Sequence, residues 1–64
     1  MTPTEFHAIR KQLGLTQAQL APLLGYGAAP RVSAIESGPK VPKQAALLME
    51  AYRTGYRPKH WPLP

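Results

Sequence analysis

The chain contains no cysteine, so neither a disulfide nor thiolate-bound zinc can staple the fold, and apolar side chains must hold it alone. That absence favours a reducing, cytoplasmic setting. Acidic residues are scarce: three stand against eight lysines and arginines, giving a formal net charge of +5 and a pI near 10.1. A polyanion is the natural partner of such a surface. Nucleic acid is favoured over membrane because the basic residues form no dense block beside an amphipathic face.

The acids share no local motif, and the two histidines, His7 and His60, are far apart in sequence. No catalytic constellation or metal-ligand cluster follows from them, so no enzyme activity, metal or cofactor is expected. A membrane-spanning run is also missing. The uncharged stretch from Gln12 to Pro30 holds three glutamines, three glycines and two prolines, which a transmembrane helix of that length does not readily carry. The start, Met1-Thr2-Pro3-Thr4-Glu5, has no basic region followed by an apolar one, so no secretory signal is expected.

What the sequence does have is helix punctuation. Thr2-Pro3-Thr4-Glu5 reads as a capping box with proline in the first turn, where its missing N–H costs nothing. A first helix is predicted from about Pro3 to Leu13, with Phe6, Ile9 and Leu13 as its inward stripe and Gly14 as its left-handed stop. A second capping box, Thr16-Gln17-Ala18-Gln19, opens a short helix with Leu20, Leu23 and Leu24 inward, Ala21 small enough for a close crossing, and Gly25 at its end. Pro22 lies inside it, and a kink is expected there.

The turn Tyr26-Gly27-Ala28-Ala29-Pro30 leads to a third helix predicted from about Pro30 to Ser37, with Val32 and Ile35 inward and Gly38-Pro39 closing it. Pro42 opens a fourth, through about Arg53, with Leu47, Leu48, Ala51 and Tyr52 as candidate core contacts. Residues 56–64 contain too many prolines for a helix and are expected to form an extended tail whose Tyr56, Trp61 and Leu63 pack on something. The predicted architecture is all-α: a bundle of about four short helices over residues 1–55, followed by a Pro-rich tail. One core should include Phe6, Ile9, Leu13, Leu20, Leu24, Val32, Ile35, Leu48 and Tyr52.

The run Leu15-Thr16-Gln17-Ala18-Gln19-Leu20-Ala21-Pro22-Leu23-Leu24-Gly25, followed by Val32-Ser33-Ala34-Ile35-Glu36-Ser37-Gly38, closely resembles the lambda-repressor-like (Cro-type) helix-turn-helix family. The resemblance spans roughly Phe6 to Tyr52 and implies a transcriptional regulator, a repressor, that places its third helix in the major groove. It implies double-stranded DNA as partner, an inverted-repeat operator, a homodimer at least on DNA, and a bacterial or phage-encoded, nucleoid-associated setting. Two features depart from the family pattern. The turn is one residue longer than its commonest form, and Pro22 and Pro30 replace more usual helix formers, which predicts a late start for the third helix.

Carried over residue by residue, base contacts fall on Ala29, Pro30, Arg31, Ser33 and Ala34. Only Arg31 among them can donate two parallel hydrogen bonds to guanine O6 and N7; Ser33 can reach a base, a phosphate or its own backbone. Thr16 and Gln17 at the start of helix two, with Lys40 and Lys43 after helix three, are the expected contacts to the DNA backbone. Arg10 and Glu36 are read as an architectural ion pair that fixes the angle between helices one and three. The rival reading is a protein-interaction module, such as an antitoxin or co-regulator, that docks through the aromatic tail.

Overall fold

A computed structural model describes residues 1–59 and 61, and among these every regular element is a helix. The four are α1 (Pro3–Gln12), α2 (Gln17–Leu23), α3 (Ala29–Ser37) and α4 (Lys43–Arg53). Both expected capping boxes form. The Thr2 hydroxyl accepts from the Glu5 amide at 3.1 Å while Glu5 Oε1 accepts from the Thr2 amide at 2.8 Å. Thr16 and Gln19 repeat the arrangement at 3.0 and 2.9 Å.

Three helices stop by one device. After α1, α2 and α4 the chain turns at Gly14, Gly25 and Gly55, all at positive φ, and each following amide bonds five residues back: Leu15 to Arg10, Tyr26 to Ala21, Tyr56 to Ala51. This closure satisfies helix-end carbonyls and folds the residue after the glycine back along its own helix. α3 ends differently. Gly38 has φ −90°, yet a Cβ there would stand 2.8 Å from the Ala34 carbonyl oxygen, so it is glycine for space and not for backbone freedom.

Phe6, Leu20, Val32 and Met49 are fully enclosed, one from each helix, and Ile9, Leu15, Ala21, Leu24, Ile35, Ala45 and Tyr52 complete the core. α3 packs against both α1 and α2, while α4 packs against α1. Leu13, Leu23 and Leu48 are partly buried against this core. Burying large apolar side chains contributes roughly 1.5–3 kcal/mol each, which is what a chain without staples must rely on.

Two expectations are corrected, the late start of α3 and the burial of Leu47. α3 begins at Ala29, one residue earlier than predicted and not late: Ala28 is the extended cap, its carbonyl accepts from the Arg31 amide at 3.3 Å, and Pro30 sits at the second helical position. α2 includes Pro22 and runs as one element to Leu23. Leu47 does not reach the core but is 64% exposed. The Tyr52 hydroxyl donates to the Leu23 carbonyl at 2.7 Å, which fixes the rotation of α4 so that Ala45, Met49 and Tyr52 face inward and Leu47 points out. Burial first, and Tyr56 second, raise the Tyr52 pKa above 10.0, keeping that donor protonated.

Beyond α4, Trp61 is partly buried and meets the Tyr52 ring edge-on at 5.2 Å, with the Arg57 guanidinium 4.3 Å from the indole centroid. Tyr56 stacks on Tyr52 at 6.0 Å yet stays 56% exposed. His60 and Leu63 lie outside the described residues. No helix among the described residues is long and apolar enough to cross a membrane.

Candidate nucleic-acid interface

The α2–α3 pair is held from beneath by a polar hub. Arg10 is 7% exposed, and its Nε donates to Glu36 Oε2 at 2.5 Å while Nη2 donates to Glu36 Oε1 at 3.2 Å. Its Nη1 donates to the Leu15 carbonyl at 2.9 Å. One guanidinium therefore joins α1, the linker before α2, and α3. The Glu36 side chain is 8% exposed; burial by itself would raise its pKa, but hydrogen bonds from Arg10, His7 and Gln17 outweigh that and bring it below 4.5.

Two further groups enter this hub. His7 lies one turn before Arg10 with Nδ1 2.9 Å from Glu36 Oε1 and 3.2 Å from Arg10 Nη2. Because the guanidinium only donates and the carboxylate only accepts, Nδ1 serves one of them at a time. Gln17 Nε2 donates to Glu36 Oε1 at 3.1 Å. The residue expected to grip phosphate is thus anchored through its amide nitrogen, while its amide oxygen makes no hydrogen bond among the described residues.

Above the hub, α3 turns Val32 and Ile35 inward and leaves Pro30, Arg31, Ser33, Ala34 and Ser37 exposed, with Ala29 half-buried at its first position. Of the five residues expected to meet bases, four lie on this open surface. The Ser33 hydroxyl makes no hydrogen bond among the described residues; its backbone carbonyl instead accepts from the Ser37 hydroxyl at 3.0 Å. The Thr16 hydroxyl oxygen accepts from the Gln19 amide as the α2 cap, and its O–H can still donate outward. Lys40 in the α3–α4 turn and Lys43 at the start of α4 are exposed, and neither has an acidic partner among the described residues.

The acids lie away from the exposed side of α3. Glu36 is neutralised inside the hub, whereas Glu5 and Glu50 line a groove between α1 and α4 to which α2 and α3 contribute nothing. Arg31, Lys40 and Lys43 stand on α3 and the segment that follows it. Exposed cations without an acidic partner among the described residues favour a polyanion on that side.

The four arginines show how specific this surface is. Arg10 bonds Glu36 and Leu15, Arg53 bonds Glu50, and Arg57 donates to the Tyr52 and Tyr56 carbonyls at 2.8 Å each. The Arg31 guanidinium donates to no acceptor among the described residues and instead lies over the Tyr26 ring, Cζ 5.2 Å from the centroid. Tyr26, Ser37 and His7 are the neighbours that reading the sequence missed. Only His7 left a usable signal, since it stands three residues before Arg10 and hence on the same helix face.

A short α2 crossing a following α3, with an exposed polar stripe on α3 and unpaired basic residues beside it, defines a helix-turn-helix DNA-binding domain. The helix-turn-helix family model matches residues 6–49, more than half of the chain, and the chain belongs to that lambda-repressor-like family of DNA-binding transcription regulators. No curated protein and no solved structure matches it significantly.

Proposed function

We propose that this protein is a sequence-specific repressor that sets α3 into the major groove of an inverted-repeat operator as a homodimer. The observation that supports this reading most directly is Arg31: it is exposed on the rigidly seated reading helix, and its guanidinium N–H donors meet no acceptor among the described residues. A guanidinium in that position matches the paired acceptors O6 and N7 of guanine. Ser33 adds a donor or acceptor, and Ala29, Pro30 and Ala34 offer apolar contact to a thymine methyl. Thr16, Gln17, Lys40 and Lys43 hold the sugar-phosphate backbone and set the register.

One α3 reads only a few base pairs, so two copies related by a dyad, with half-sites about 34–36 Å apart, supply a usable site length. Selection of bound duplexes from a random pool tests all of this together. A recovered palindrome at that spacing, bound much more tightly than its scrambled counterpart at the same salt, is the expected result. Equal affinity for both would reduce the protein to a nonspecific binder. A reporter driven by a promoter overlapping the recovered site should fall when the protein is expressed; a rise would make it an activator.

A further inference from the structure

Tyr26 occupies a position that its turn dictates. Its amide closes the end of α2 by donating to the Ala21 carbonyl at 2.8 Å, and its side chain lies half-buried against the core. Only four residues separate it from Arg31, and Pro30, with its fixed φ, is one of them. The ring is therefore a fixed plate at the foot of α3, and the Arg31 guanidinium lies over it at 5.2 Å.

We infer that Tyr26 is a positioning residue for base readout, holding the Arg31 guanidinium over its ring so that the N–H edges stay free to meet guanine O6 and N7. The inference rests on the reading of Arg31 as a base contact. Its chemistry is a matter of which parts of the guanidinium are used. Attraction to an aromatic ring engages the cation through the ring face, whereas bidentate recognition of guanine uses hydrogen bonds in the guanidinium plane. The two are compatible, so the contact can persist in the complex. A long side chain loses rotamer freedom when it docks, and a ring that already restricts it in the free protein reduces that loss. Tyr26 thereby raises discrimination at one base pair without touching DNA itself.

The test uses the full chain and a duplex selected from a random pool, with the base pair facing Arg31 identified as the one whose preference flattens in Arg31→Ala. Tyr26→Leu, which keeps apolar bulk and removes the ring, should weaken the selected duplex about two- to fivefold, the scale of an exposed cation–π contact. It should also narrow the preference at that base pair and leave scrambled DNA unaffected. Tyr26→Phe should retain wild-type preference, and in the Arg31→Ala background Tyr26→Leu should change nothing further. If Tyr26→Leu weakens binding equally in both backgrounds, or leaves the preference intact, this inference fails while the reading of Arg31 stands. If Arg31→Ala keeps every base preference, that reading fails and this inference with it. The free wild-type protein gives a check independent of any variant: the Arg31 side-chain protons should be shifted upfield by the Tyr26 ring current, and their absence from that region overturns the proposal.

Discussion

Arg10 and Arg31 carry the same guanidinium on two helices that pack together, and they meet opposite surroundings. Arg10 is enclosed, with donors on Nε, Nη1 and Nη2 all directed to Glu36 or the Leu15 carbonyl. Arg31 is exposed, and its guanidinium rests on an aromatic ring and donates to nothing among the described residues. Sequence chemistry cannot separate two arginines; their surroundings can. A guanidinium with all three nitrogens engaged holds helices at an angle, and one with donors open is available to a ligand. Substitutions that remove each in turn should therefore fail in different assays.

The largest effect is expected at Glu36. Glu36→Ala leaves Arg10 enclosed without its counter-charge, and breaking such a buried pair costs about 3 to 5 kcal/mol. A domain of this length has a total stability of only about 3 to 10 kcal/mol, so the variant should lose a large part of it. Urea denaturation followed by circular dichroism measures it, and a loss below about 1 kcal/mol would show that the hub does not hold the fold. The same carboxylate makes stability depend on acid. Its folded pKa is lowered below the 4.5 usual for glutamate, so its contribution is fully present above that value and is lost as pH falls below it. Melting temperature should decline over that acid window more steeply in the wild type than in Glu36→Gln.

At Arg31 the expected loss lies in binding, not folding. Arg31→Ala should cost about 1 to 3 kcal/mol on the selected operator and flatten the preference at one base pair of each half-site. Its melting temperature should stay close to wild type, since the side chain is exposed. Quantitative binding to a panel of single-base operator variants decides the matter. A uniform loss with every preference retained would make Arg31 a phosphate anchor, and specificity would then come from Ser33, apolar contacts or DNA shape.

How far these roles were legible in the sequence follows from the kind of signal each leaves. Caps and stops are local, so Thr2, Thr16, Gly14 and Gly25 announced α1 and α2 to within a residue. The inward face of α4 was not legible, because Ala45 to Met49 is apolar throughout and periodicity cannot choose among neighbours. A single long-range bond, from the Tyr52 hydroxyl to Leu23, makes that choice. Pairing Arg10 with Glu36 came from the family resemblance, since nothing in their 26-residue separation shows it. Gln17 joining that hub, and Tyr26 lying beneath Arg31, depend on where two helix-ending turns aim the chain. Composition and spacing carry no trace of such directions.

The smallest effect, and the one that separates the two regions by sign, is expected at Lys43. It is the first residue of α4, which has no acidic residue in its first turn and no side-chain cap. A cation there opposes the positive end of the helix dipole, so Lys43→Ala should stabilise the free protein by roughly 0.3 to 1 kcal/mol. Binding should move the other way. If the ammonium contacts a phosphate, its removal weakens selected and scrambled duplexes alike and reduces the slope of log affinity against log salt by about one. Every base preference should survive, in contrast with Arg31→Ala, and stability should rise, in contrast with Glu36→Ala. Thermal melts in low salt combined with a salt titration of binding read both quantities on one preparation. An unchanged salt slope would remove Lys43 from the interface, and an unchanged melting temperature would mean that its flexible side chain already carries the charge out of the reach of the helix end.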